Sequence, residues 1–136
     1  MYDNNSGSYN CAVGASALYK NTTGAYNVGI GFEPLTANTS GSYNVGIGYR
    51  SLYYNTTGTY NSCNGIYSMY ANAGGVMNTA SGCYSLGGNS YGHYNTATGS
   101  YSLASNNLGI GNTYEGYASG YYNTTGYYNT GVGYYS

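Results

Sequence analysis

Charge is what this chain has least of: among its 136 residues only Asp3, Lys20, Glu33, Arg50 and Glu115 carry a full one. Two basic groups cannot neutralise a phosphate backbone, which speaks against nucleic acid as a partner. A formal net charge of -1 steers no charged ligand either. Tryptophan is missing, proline occurs once, and Val, Ile, Leu and Met together supply 18 residues, too few for a conventional globular core. No apolar run approaches the roughly 18 residues of a membrane helix, so membrane insertion is not expected. One histidine and three carboxylates, scattered along the chain, form no acid–base pair, nucleophilic triad or cofactor motif. The chain reads as a non-enzyme with no cofactor and no metal. Its cysteines, Cys11, Cys63 and Cys83, are odd in number and lack metal-type spacing; they read as small buried hydrophobes, with a cross-link as the alternative.

What remains is 23 Tyr, 24 Gly and many Asn, Ser and Thr, a composition that suits either a disordered chain or a repetitive structure held by backbone bonding and side-chain ladders. Periodicity decides between them. Tyr9-Asn10, Tyr26-Asn27, Tyr43-Asn44 and Tyr60-Asn61 recur every 17 residues, and Tyr94-Asn95 and Tyr128-Asn129 fall on the same grid. Aligned on it, the chain resolves into eight units beginning at Asn4, Asn21, Asn38, Asn55, Asn72, Asn89, Asn106 and Asn123. Four columns are constant: Asn at the first and seventh positions, Gly at the fourth and eleventh. A solvated coil has no means of measuring 17 residues eight times, and two fixed glycines per unit disfavour a helical repeat.

The expected fold is therefore all-β: a parallel β-solenoid, or β-roll, of eight 17-residue coils forming one repeat domain over residues 1–136. Like residues would stack about 4.8 Å apart. The first-column residues Asn4, Asn21, Asn38 and Asn55 and the seventh-column residues Asn10, Asn27, Asn44 and Asn61 are candidate ladders, each amide bonding its image in the next coil. The glycines at the fourth position, and Gly14, Gly31, Gly48 and Gly65 at the eleventh, are candidate corners that need positive φ or close backbone approach. Asn also tolerates such corners. Alternation along Tyr43-Asn44-Val45-Gly46-Ile47-Gly48-Tyr49 puts Tyr43, Val45, Ile47 and Tyr49 on one face, expected to line a narrow interior together with the leucine column Leu18, Leu35, Leu52, Met69, Leu86 and Leu103. The misplaced copy Leu108-Gly109-Ile110-Gly111 predicts a register slip or bulge in the seventh unit.

The eighth unit stops at its fourteenth position, and Met1, Tyr2 and Asp3 supply the missing three in phase. Neither end carries an atypical capping repeat. Met1, Tyr2 and Asp3 at one end and Tyr134, Tyr135 and Ser136 at the other are thus candidate assembly residues, through which a second copy would extend the solenoid; two unlike ends make a heterologous, non-closing contact.

The segment Asn44-Val45-Gly46-Ile47-Gly48-Tyr49-Arg50-Ser51 resembles the head repeats of trimeric autotransporter adhesins. The full unit, Asn-Thr-Thr-Gly-x-Tyr-Asn-x-x-x-Gly-x-x-Ser-Leu, is similar to the 17-residue repeats of phage tail fibres and bacterial surface fibres. Those resemblances imply an extracellular or cell-surface location and a fibre or adhesin role. Two functions compete: a structural subunit of an extracellular filament that polymerises with itself head to tail, or a trimeric adhesin or tail-fibre segment that binds surface glycans through exposed Tyr and Asn. Minor readings attach to the threonine corner (Thr22, Thr39, Thr56 and neighbours), as an ice-binding array, and to Asn4, Asn21, Asn38, Asn55 and Asn123, as glycosylation acceptors. Laddering explains the asparagines better, because Asn72, Asn89 and Asn106 persist without the acceptor pattern.

Overall fold

A computed structural model describes residues 2–136. Eight three-residue strands follow one another: β1 (Cys11–Val13), β2 (Val28–Ile30), β3 (Val45–Ile47), β4 (Ser62–Asn64), β5 (Thr79–Ser81), β6 (Thr96–Thr98), β7 (Thr113–Glu115) and β8 (Thr130–Val132). They form one parallel sheet in the order β1 to β8. Every neighbouring pair is offset by 17 residues, from Cys11 opposite Val28 to Thr113 opposite Thr130. The chain is thus the expected β-solenoid, eight strands joined by seven turns. Coil 1 to coil 8 below denote the units beginning at Asn4 and ending with the unit that begins at Asn123.

Pairing extends well beyond the strands. The amides of Asn5, Leu18 and Lys20 donate to carbonyls one coil further on, and the same three kinds of bond recur along the rod. So the turns are themselves ladders, which is why strands of only three residues suffice. The seventh unit keeps its register. Ile110 bridges His93 on one side and Tyr127 on the other at the unit's fifth position, so the predicted slip does not occur.

The sheet faces are opposite to the expected ones. Buried positions on the strands are the small middle residues, Gly29, Gly46, Cys63, Ala80 and Ala97, while Val13 and Ile30 are 53% and 38% exposed and Tyr43 is 46% exposed. Alternation was legible, but its polarity was not: the interior is only wide enough for one leucine column facing a small-residue column, and the larger members of the strand are pushed out. Leu18, Leu35, Leu52, Met69, Leu86 and Leu103 are fully buried, as expected. Beside them the buried serines Ser51, Ser68, Ser85, Ser102 and Ser119 and both asparagine columns complete a half-polar interior.

The two glycine columns serve different needs. Gly48 has φ +124, in the region that L side chains avoid, and its column holds that geometry throughout. Gly58, in the fourth-position column, has ordinary φ, but a Cβ there would stand 2.6 Å from the Gly75 carbonyl oxygen of the next coil. No asparagine takes positive φ; that conformation falls instead on Tyr9, Tyr26, Tyr43 and Tyr60, on the Leu18 to Leu103 column, and on the column of Ser16, Glu33 and Arg50. The asparagines are bound into the core by their side chains, so the chain reverses at the residues beside them.

Candidate assembly surfaces

Each interior asparagine links three coils. The Asn44 backbone N–H and Nδ2 both donate to Asn27 Oδ1, at 2.9 and 3.1 Å, and Nδ2 donates also to the Gly58 carbonyl at 2.8 Å. Asn44 Oδ1 in turn accepts from the backbone N–H and Nδ2 of Asn61. In the first column Asn38 Nδ2 donates to Asn21 Oδ1 and Asn55 Nδ2 to Asn38 Oδ1, both at 2.7 Å. From one asparagine to the next the amide donates to the coil before and accepts from the coil after, while Nδ2 of the seventh column also donates to a glycine carbonyl of the coil after. Aligned amides polarise one another, so the two ladders run with one direction down the rod.

Asn4 and Asn10 stand on the outer rim of the first coil, where Asn4 Oδ1 accepts from Asn21 Nδ2 and Asn10 Oδ1 from the Asn27 backbone N–H. Burial of Asn21, Asn38 and Asn55 closes them to glycosylation in the folded rod. The second-position threonines of the corner are likewise committed: Thr22, Thr39 and Thr56 donate Oγ1 to carbonyls one coil on, whereas Thr23 and Thr57 beside them are exposed.

Of the predicted end residues, Met1 lies outside the described residues. The Tyr2 ring stacks on Tyr19 at 5.2 Å, and the amides of Tyr2 and Asp3 both donate to the Tyr19 carbonyl. At the other end Tyr134 stacks on Tyr117 at 5.5 Å, Tyr135 meets the same ring edge-on, and Ser136 Oγ lies 2.7 Å from Ser119 Oγ. Both sets sit in their columns on opposite edges of the sheet. A shallow cavity of about 280 Å³ opens at the coil 8 edge between Gly120, Tyr121, Asn123, Tyr135 and Ser136.

Most of the tyrosines fall on two surfaces. Tyr9, Tyr26, Tyr43 and Tyr60 form a continuous stack with centroids 4.8 to 4.9 Å apart and planes within 13°. Reasoning from the sequence placed these rings inside; the inward asparagines beside them turn them out. The second surface, from Phe32 to Tyr135, mixes stacked and edge-on rings, and Arg50 lies 5.3 Å from the ring centres of both Tyr49 and Tyr53 while its Nε bonds Glu33 Oε2 at 2.7 Å. That bond holds the guanidinium well above its ordinary pKa. A hydrogen bond with Tyr54, and then burial, push the Tyr70 phenol up to about 12.

Only one of the three cysteines is the buried hydrophobe the sequence suggests. Cys63 lies in the small-residue column of the interior, Cys83 is half-buried and Cys11 exposed; all three are free thiols. Burial pushes the Cys63 thiol up to about 12. At neutral pH an alkylating reagent is expected to label Cys11 in the folded protein and Cys63 only after denaturation, as read by mass spectrometry; equal labelling of both would contradict the interior placement. Because the folded-state value is raised, the contribution of Cys63 is complete below the free thiol's range and fades as pH climbs from about 9 towards 12. Alkaline loss of stability should therefore begin near pH 9 and lessen in Cys63→Ala.

His93, at a position held by Ser, Ala or Thr in coils 1 to 4, is half-buried and accepts the Val76 N–H on Nδ1 at 3.0 Å. Ser42 Oγ accepts from Ala25 N–H in the same way, so the imidazole is a rung of the ladder. Among the described residues no three His, Cys, Asp or Glu side chains converge as a metal site. No family model matches this chain, and neither a curated protein nor a solved structure matches it.

Proposed function

We propose that this chain is a structural subunit of an extracellular filament, polymerising head to tail through the edges of its solenoid. The observation that carries the reading is the polarity of the asparagine ladders. At the coil 1 rim the Nδ2 groups of Asn4 and Asn10 bond only the Gly7 and Gly24 carbonyls and donate to no asparagine oxygen, while at the coil 8 rim Asn129 bonds back to Asn112 and its own oxygen accepts from no described residue. A donor rim and an acceptor rim are complementary to each other and not to themselves, which favours a heterologous, open contact over a closed dimer. The exposed edges of β1 and β8 carry the matching backbone groups. The extracellular setting rests on the resemblance of the repeat to surface-fibre repeats.

Glycan binding draws less support from the rings. Sugars stack on aromatic faces, and in the Tyr9 to Tyr60 ladder each interior face is covered by the next ring at 4.8 to 4.9 Å. Edges and hydroxyls are what remain.

Electron microscopy and fibre diffraction of the purified chain test the reading. Filaments of uniform width that lengthen with concentration are expected, with a meridional spacing of about 4.8 Å and a subunit repeat of about 38 Å. Short rods at every concentration would defeat it, and discrete rods of three chains would favour the adhesin alternative.

A further inference from the structure

Coils 3 and 7 carry the same aromatic frame around different side chains. Tyr49, Tyr53, Tyr54 and Tyr67 have their counterparts, in the same columns, in Tyr117, Tyr121, Tyr122 and Tyr135. The rings keep their mutual geometry. Tyr53 meets Tyr54 edge-on at 4.8 Å and Tyr121 meets Tyr122 at 4.9 Å; Tyr49 meets Tyr67 edge-on at 5.2 Å and Tyr117 meets Tyr135 at 5.9 Å. Two replacements on this surface change its chemistry. Ala118 stands in the column of Arg50, at nearly the same φ (+52 against +51), and Tyr101 stands in the column of Glu33.

In coil 3 the frame holds a cation. The Arg50 guanidinium lies 5.3 Å from the ring centres of Tyr49 and Tyr53, close enough to feel their negative faces, and its Nε donates to Glu33 Oε2 at 2.7 Å. In coil 7 the corresponding side chain ends at a methyl. A cavity of about 250 Å³ opens there, lined by five tyrosines: Tyr101, Tyr117, Tyr121, Tyr122 and Tyr135.

The geometry points to this tyrosine cage as a binding site for an organic cation that bears a quaternary ammonium group. Arg50 is the precedent for a positive charge between these columns. The exchange of Glu33 for Tyr101 selects the kind of charge. A guanidinium or primary ammonium carries N–H donors that need an acceptor of the sort Glu33 provides, and among the described residues no carboxylate lines the cage. A quaternary ammonium has no donor to strand and presents its methyl groups to ring faces on several sides. The cavity is smaller than the roughly 300 Å³ at which pockets for drug-sized ligands begin, so the group recognised is small. All five rings belong to one chain, and the site stands independently of head-to-tail growth.

Isothermal calorimetry with choline chloride tests the site, with the uncharged isostere of choline, in which a tert-butyl group replaces trimethylammonium, as the control. Saturable binding of choline is expected, at least about tenfold tighter than that of the isostere. Tyr121→Leu, which keeps apolar bulk and removes a ring face, should weaken it about tenfold. Ala118→Arg rebuilds the coil 3 arrangement, and its tethered guanidinium should abolish binding; the backbone already suits arginine, and circular dichroism verifies the fold. Tyr26→Leu, on the separate outer ladder, should leave binding unchanged. Phosphatidylcholine vesicles identify the source of the cation: vesicles that sediment with the parent chain and not with Ala118→Arg assign a lipid headgroup, and vesicles that stay free while choline binds assign a soluble cation, both upholding the site. Absence of saturable choline binding, equal affinity for the uncharged isostere, or undiminished binding by Ala118→Arg would overturn the inference.

Discussion

Asn44→Ala is expected to destabilise the rod by about 4 kcal/mol, a loss on the order of 15 °C in melting temperature followed by circular dichroism. The substitution removes the bonds from Nδ2 to Asn27 Oδ1 and the Gly58 carbonyl, and withdraws the oxygen that holds Asn61. Gly58 O keeps its bond from Asn55 and Asn27 Oδ1 keeps the Asn44 backbone N–H, so neither is stranded. The buried N–H of Asn61 is, and its desolvation without a partner supplies the largest single share. An exposed asparagine such as Asn5 gives the contrast, with a change within about 0.5 kcal/mol on replacement by Ala. Asn44→Asp separates shape from hydrogen bonding. It keeps the outline, loses the donor and buries a carboxylate whose folded-state pKa must rise. Its stability should be highest in acid and fall as pH rises through the carboxyl range. A variant insensitive to pH, or an Asn44→Ala protein melting within two or three degrees of the parent, would refute the ladder's energetic role.

The second large effect concerns coil 7, where two columns break their pattern together. Tyr114 stands in the small-residue column of Ala80 and Ala97, and Gly120 in the column of Leu86 and Leu103. A Cβ at Gly120 would lie 2.7 Å from Tyr114 Cδ1, so the ring occupies the volume that a leucine fills in other coils. Tyr114→Ala should cost about 3 to 5 kcal/mol by opening a cavity. Gly120→Leu alone should cost about 1 to 3 kcal/mol or more by overpacking. The double variant rebuilds the pair Ala97 and Leu103 one coil later and should return to within about 1 kcal/mol of the parent, a coupling energy far outside additivity. Denaturant titration of the four proteins measures it, and additive losses would show that the ring does not substitute for the missing leucine. Gly120 has φ +64, close to the +50 of Leu103, so the backbone already accommodates a leucine there.

That exchange also shows where the sequence was readable and where it was not. The 17-residue period, the parallel register and the ladder asparagines follow from columns that repeat unchanged, because an identical column is physically meaningful only if its members touch. The direction each column faces carries no such signature. Val45 and Ile47 are more apolar than Gly46, and hydropathy alone turns them inward; the width of the coil, set by the distant Leu35 and Leu52, turns them out. Positive φ was assigned to asparagine on local preference, whereas the tertiary demand for its side chain in the core moved the reversal to Tyr43 and Leu52. Leu108 to Gly111 looked like a displaced strand because similar residues were compared instead of similar columns; Gly109 and Asn112 hold the constant positions and keep the coil in step. The exposed Tyr9 to Tyr60 stack lay in plain view as a repeat, but only the inward position of Asn10, Asn27, Asn44 and Asn61 reveals that the rings beside them are outside.

Among the described residues the left-handed backbone recurs at up to three non-glycine positions in each coil, 21 in number. Each such residue is unfavourable by about 1 to 2 kcal/mol on its own. A solitary loop of this chain would bear that strain with no rim beneath it to answer the Asn, Gly and backbone groups it exposes. The protein must therefore begin with difficulty and lengthen with ease: an existing coil is the mould on which the next is cast. Broken fragments should act as seeds that abolish a lag, and refolding should trail unfolding along a different path.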